Sequence, residues 1–273
     1  MKYTGRKALP AGSVSTWPHK SLTTTLRTPV RPNPSVSPTL PHKSVTTDHN
    51  TSQTVTQRQP CEPDSWEKLE QDLQDCQRCP LAKLGRKKVV LGEGNRHASI
   101  MLIGEAPGFD EDRLGRPFVG RSGQKLDQII SAIGFRRNDI YVANVVKCRP
   151  PENRDPDPKE ISTCSQFLQR QLALVRPDII LALGRFAANY LLQGQSGETK
   201  TLKAMRQKIY QNDGKYCICT YHPSALLRTT EYRQPVWDDV RVLRNLYDHL
   251  VKQPATFTSS DVPKYPVLPE HSL

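Results

Sequence analysis

The chain has 273 residues, 36% of them hydrophobic, and its 39 Lys and Arg outweigh 27 Asp and Glu for a formal net charge of +12 at pH 7. No apolar run approaches the roughly 20 residues of a membrane-crossing helix, so none is predicted, and the charge favours an anionic partner, nucleic acid before an acidic membrane surface. Seven cysteines are an odd count with no export signal in view, which argues against a disulfide framework and leaves metal ligation or buried thiols.

Residues 1–60 carry eight Lys and Arg, one Asp and eight prolines, with many Ser and Thr and no apolar periodicity. Such a segment buries too little surface to offset its ordering entropy. We read 1–62 as a disordered basic tail, with Cys61 exposed at its boundary, and 252–273 as a second disordered tail. The folded domain is then 63–251. The default location is the cytoplasm, associated with a bacterial nucleoid; organelle targeting by the tail stays open.

Within the domain, residues 66–73 predict a short helix capped by Asp64 or Ser65. The apolar run 99–103 predicts a buried strand that ends at a Gly-Glu-Ala-Pro-Gly loop. Leu126, Ile129, Ile130 and Ile133 share a helical face over 123–133, and Gly134 supplies the stop. A strand follows at 140–146, then a helix at 158–175 with Pro158 in its first turn. A third strand at 178–183 leads into a helix opened by Gly184; a fourth at 216–221 leads to a His-Pro-Ser loop, and 236–251 forms the closing helix. Apolar strands alternating with helices imply a three-layer α/β/α sandwich around a parallel sheet, with ligands at the carboxyl ends of the strands.

Four cysteines have ligand-like spacing. Cys76 and Cys79 form a CxxC pair, and Cys148 and Cys164 form a wider one. Four thiolates suit a structural zinc or an iron–sulfur cluster. A thioredoxin-type redox site would need a strand before the CxxC and a helix opening at it, and neither is evident. Four separate free thiols are the plain alternative. Cys217 and Cys219 alternate within a strand and read as core.

Four loops follow the predicted strands or the first of their turns. Gly104 to Asp112 combines backbone-exposing glycines with Glu105 and Glu111; its acidity makes it a poor phosphate cradle and a candidate for holding water or a cation, or simply a solvated loop. Gly115 to Gly123 sets basic residues around Phe118, which is either a stacking ring for a base or a core residue. Asn144 at a strand end offers a donor and an acceptor to a base edge, or caps a turn. His222, after the fourth strand, is fixed in place and is either catalytic or structural. The sheet places all four loops on one rim.

The segments GEAPGFDEDRLGRPFVGRSGQ (104–124), NVVKCRPPENRDP (144–156) and YHPSALLR (221–228), in that order, resemble family 4, the iron–sulfur uracil-DNA glycosylases. The resemblance spans roughly 65–251. It implies a four-stranded parallel sheet between helices and a [4Fe-4S] cluster, by position on Cys76, Cys79, Cys148 and Cys164, that ties the N-terminal helix to the KCRP loop. It further implies a uracil pocket made by Gly104, Glu105 and Ala106, with Phe118 stacked on the everted base, Asn144 on its Watson–Crick edge and His222 at a pyrimidine oxygen. The expected substrate is uracil in single- or double-stranded DNA, with no membrane involvement and a monomer as the acting unit. The expected reaction is hydrolysis of the N-glycosidic bond. His222 stabilises the departing base, Glu105 orients water, and Glu111 or the backbone near Gly108 excludes the thymine methyl. Phe109 stands where many members have an acidic residue. Family 5 members tend to lack glutamate in the first motif, so Glu105 favours family 4. A non-catalytic nucleic-acid-binding module with a structural metal, a redox protein and a membrane-surface protein are the rivals.

Overall fold

The structure is a computed structural model that describes residues 64–192, 199–212 and 214–268; the predicted basic tail, Cys61 included, lies outside them. In chain order, α1 (Trp66–Leu73) leads to β1 (Glu93–Gly94), β2 (Ile100–Gly104), α2 (Phe109–Leu114), α3 (Arg121–Ala132), β3 (Tyr141–Asn144), α4 (Pro158–Val175) and β4 (Ile179–Leu183). Then come α5 (Arg185–Leu192), α6 (Leu202–Met205), β5 (Ile209–Asn212), β6 (Lys215–Thr220), α7 (Ala225–Arg228), α8 (Arg233–Leu250) and β7 (Val267–Leu268).

The strands form one sheet in the order β1-β3-β2-β4-β6-β5-β7. Its centre, β3-β2-β4-β6, is parallel throughout and is the four-stranded unit that the sequence predicts. Three short strands widen it to seven: β1 lies antiparallel on β3, β5 antiparallel on β6, and β7 parallel to β5. Two-residue strands such as β1 and β7 contain no alternation for a sequence reading to detect.

The central strands are apolar on both faces because helices cover both. Ile100, Leu102, Val142, Ile179, Leu181 and Ile218 point to one face, where they meet α3 and α8 through Leu126, Ile129, Val240 and Leu243. Met101, Ile103, Ala143, Ile180, Ala182 and Cys219 point to the other, against Leu168 of α4 and Ala187 and Ala188 of α5. Each such Ile or Leu contributes about 1.5–3 kcal/mol by leaving water. Ser65, not Asp64, caps α1, accepting from the Lys68 N–H at 3.2 Å. The helix packs Leu69 and Leu73 against Cys164 and Phe167 of α4.

The segment after Val251 departs from the disordered tail predicted for it. Residues 252–268 cross α8, where Phe257 and Tyr265 pack on the core and β7 joins the sheet. The Thr256 N–H donates to Asp248 at 2.8 Å, Asn245 donates to the Phe257 carbonyl at 2.9 Å, and Trp237 meets Phe257 edge-on. Single aromatic anchors without a period hold the segment, so periodicity could not reveal it. The Tyr265 hydroxyl donates to Asp239 at 2.7 Å; Thr220 and Arg206 donate to the other carboxylate oxygen at 2.6 and 2.9 Å. Asp239 is fully buried, so all three donors compensate a desolvated charge. Tyr265→Phe removes one donor and should cost about 1.5–3 kcal/mol, measured as a lower urea midpoint with an unchanged slope.

Candidate functional site

The carboxyl ends of the four parallel strands surround a cavity of about 410 Å³. It is large enough for a nucleobase and part of its sugar, at the lower end of the range for small-molecule sites. Glu105, Ala106, Glu111, Phe118, Asn144 and His222 all line it, so loops far apart in sequence converge as expected. Gly104, expected in the pocket wall, does not line the cavity itself but lies behind Asn144 and Phe118. A Cβ there would stand 2.4 Å from Asn144 Oδ1 and 2.5 Å from the Phe118 ring, so only glycine leaves the site open.

Phe118 is buried and has a left-handed backbone, φ 52°. For a residue with a Cβ that conformation costs about 1–2 kcal/mol, and two contacts hold it. Gly123 brings the first turn of α3 so close that a Cβ would lie 1.9 Å from the Phe118 carbonyl oxygen. Arg137 donates to the Phe118 carbonyl at 3.0 Å and also to that of Pro117. The ring thereby faces His222, with centroids 5.6 Å apart and planes tilted by 34°.

Asn144 ends β3 with its side chain almost fully buried. Among the described residues, Asn144 Oδ1 is the one buried side-chain oxygen without a hydrogen-bond partner. An unpaired buried acceptor costs about 1–3 kcal/mol. The backbone beneath it is tightly held. Lys147, fully buried, donates to the Asn144 carbonyl at 2.7 Å and to Gln171 of α4 at 2.5 Å. Gln171 in turn donates to the Leu91 carbonyl and the Tyr141 hydroxyl, at 2.8 and 3.0 Å.

His222 receives the Ser224 backbone N–H on Nδ1 at 3.2 Å, with the Ser224 hydroxyl 2.8 Å from the same nitrogen. A backbone N–H can only donate, so Nδ1 is the acceptor and the proton sits on Nε2. Burial pushes the imidazole pKa down to about 4, helped by the charge of Arg228. The ring is neutral near pH 7 and presents one N–H donor.

The two glutamates differ. Glu111 accepts the Val119 and Gly120 N–H groups on Oε1, both at 2.9 Å, and the Gly108 N–H on Oε2 at 3.2 Å. Both of its oxygens hold backbone, so it shapes the wall. Glu105 is shifted up to about 7, chiefly by burial and then by the charge of Asp155, while Arg185 acts in the opposite sense. It is a carboxyl poised to exchange a proton near neutrality.

Cys76, Cys79, Cys148 and Cys164 line a separate small cavity with Leu73, Arg86 and Phe167. The Lys147 N–H points at Cys164 Sγ (3.2 Å) and Arg86 at Cys148 Sγ (3.0 Å). Burial raises the thiols of Cys148 and Cys164. Among the described residues no group of three or more His, Cys, Asp or Glu is placed to hold a single metal ion. Cys217 and Cys219 are buried in β6 as expected. Sequence reading missed Ser224, Lys147, Gln171, Arg137, Asp155 and Arg185. Ser224 had a signal in its place two residues after His222, and Lys147 in its place three residues after Asn144; the others act through contacts distant in sequence.

An α/β sandwich with a base-sized pocket at its strand ends is the arrangement of a small-ligand site in a parallel-sheet protein, and the comparisons with known proteins say of which family. Residues 91–241 match the model of the uracil DNA glycosylase superfamily. A type-4 uracil-DNA glycosylase of Archaeoglobus fulgidus is 39% identical over 198 residues, 71% of this chain and 98% of that protein. One of Thermotoga maritima is 44% identical over 167 residues, 60% of this chain and 85% of that protein. A type-5 uracil-DNA glycosylase of Pyrobaculum aerophilum is 32% identical over 148 residues, 49% of this chain and 64% of that protein. The chain belongs to the uracil-DNA glycosylase superfamily and, within it, to the type-4 (family 4) uracil-DNA glycosylases.

Gly104→Ala tests the packing behind Asn144 and Phe118. The added methyl cannot coexist with Asn144 Oδ1 and the Phe118 ring where they stand. Base release should fall at least about tenfold, the effect of a 1.4 kcal/mol loss, while the circular-dichroism spectrum stays that of the parent.

Proposed function

We propose that this pocket receives a uracil everted from DNA and that its residues hydrolyse the N-glycosidic bond to leave an abasic site. By its family the protein is a uracil-DNA glycosylase, a hydrolase of N-glycosyl bonds acting in base excision repair. The observation that carries our assignment of roles is the unpaired Asn144 Oδ1. Uracil presents an N3–H to such an acceptor. Cytosine presents a lone pair at N3, so two acceptors would face each other in a buried site, the form of mismatch that discriminates most strongly.

Eversion costs a few kcal/mol of lost stacking, in the range of about 1–3 kcal/mol per base that an aromatic platform returns; Phe118 supplies that platform. As the C1′–N1 bond breaks, its electron pair moves onto the base and negative charge gathers at O2. The His222 Nε2–H is the donor assigned to that oxygen. A fixed neutral donor strengthens its bond as charge develops and holds the transition state more tightly than the substrate. Glu105 accepts a proton from the water whose oxygen joins C1′. Glu111, locked by three backbone N–H groups, keeps a rigid wall against the thymine methyl. One chain supplies every group, so the monomer is the proposed acting unit.

The four cysteines fit an iron–sulfur cluster better than a lone zinc ion. They share one cavity, two N–H donors aim at their sulfurs, and a cluster accepts thiolates set wider apart than one tetrahedral ion does. When bound, a [4Fe-4S] cluster would cross-link α1, the loop after β3 and α4. Cys76 and Cys79 would hold it from the turn that follows α1, Cys148 from the loop after β3 and Cys164 from α4.

Release of free uracil from a uracil-containing oligonucleotide tests the activity directly; no release from uracil-containing DNA would overturn it. The single-turnover rate should rise as pH increases through about 7, because only ionised Glu105 takes the proton from water. His222, with its pKa near 4, should add no inflection between pH 5 and 8. Glu105→Gln should be slower and lack the rise; an unchanged profile in that variant would reassign the base. Protein purified without oxygen should contain iron and absorb in the visible, and Cys148→Ala should lose both. A colourless, zinc-loaded parent protein would refute the cluster.

A further inference from the structure

Phe109 is the most exposed large hydrophobic residue of the described chain, 54% open to solvent. It opens α2 directly after Gly108, which lines the uracil pocket, so it stands on the pocket's outer rim. Two cations lie over its ring in cation–π contacts: the Arg149 guanidinium 5.2 Å and the Lys87 ammonium 5.8 Å from the centroid. Arg149 also adjoins the pocket, through Pro150.

The basic run Arg86-Lys87-Lys88 is held there. Asp112 of α2, itself only 2% exposed, accepts the backbone N–H groups of Lys87 and Lys88 at 2.9 and 3.3 Å. A buried carboxylate thus fixes a basic loop segment alongside α2 while its lysine side chains remain exposed. The nearby negative charge of Asp110 is turned toward Arg113, 3.7 Å away. An open aromatic ring flanked by cations is the composition of a single-strand nucleic-acid platform, where a base stacks and phosphates meet the charges.

We propose that Phe109, Lys87 and Arg149 hold the DNA strand beside the everted uridine: the neighbouring base stacks on Phe109, and its phosphates lie against Lys87 and Arg149. The occupant follows from charge complementarity and from continuity with the pocket, and the proposal rests on the uracil-pocket reading. Proximity to the pocket limits the contact to the immediate neighbour in the strand.

The test uses a fluorescently labelled single-stranded oligonucleotide with a non-hydrolysable abasic-site analogue next to 2-aminopurine, whose fluorescence falls when it stacks. Wild-type protein should quench the 2-aminopurine. Phe109→Ala should abolish the quenching and raise Kd about 5- to 150-fold, the equivalent of one lost base–aromatic stack. Phe109→Trp should restore both. Lys87→Gln should lower the slope of log affinity against log salt by about one, whereas Phe109→Ala should leave the slope as it is. Val267→Ala, an exposed position at the far edge of the sheet, is the control. Wild-type affinity and quenching in Phe109→Ala would overturn the proposal and leave the patch to a protein partner. Binding and catalysis are read separately: quenching without uracil release from a cleavable oligonucleotide would refute the glycosylase reading and leave the surface in place.

Discussion

A single unpaired oxygen organises this protein. Asn144 Oδ1 lies buried at the end of β3 without a partner, and the surrounding structure keeps it so. Gly104 withholds the Cβ that would fill the space, and Phe118, in a left-handed conformation, supplies one wall. Lys147 grips the Asn144 carbonyl from below, which prevents the strand end from relaxing to satisfy the side chain internally. In the proposed reading a ligand bearing a matching donor offsets this local cost, and the same contact supplies the selectivity.

Lys147 also joins the two halves of the molecule. Its ammonium supports the base-reading residue, while its backbone N–H points at the Cys164 sulfur and its neighbour is Cys148. Through Gln171 the network reaches α4, which carries Cys164. The cysteine cavity and the uracil pocket are therefore distinct in position but mechanically continuous. A group that tied the cysteines together would act on the loop that carries Asn144 through this network.

Acidic residues do unequal work in the first loop. Glu105 keeps a carboxyl in the pocket with its pKa raised toward neutrality. Glu111 and Asp112 spend their charge on backbone N–H groups, Glu111 closing the loop around the pocket and Asp112 securing the basic run. The charges of Glu111 and Asp112 are thus satisfied internally.

The amino-acid sequence by itself determined the four parallel strands, the principal helices and the convergence of Phe118, Asn144 and His222, because apolar runs, helix-stop glycines and strand-end loops are local patterns with a fixed geometric consequence. The motifs also carried the family. Tertiary structure decided the rest. The edge strands are too short to show a period, and the 252–268 segment is anchored by isolated aromatics, Phe257 and Tyr265, that mean nothing until α8 is in place. The division of labour between Glu105 and Glu111 depends on which backbone N–H groups reach each carboxylate. The roles of Gln171 and Arg137 likewise depend on partners brought close only when the chain folds, since burial and hydrogen bonding between distant residues are properties of packing and leave no local trace.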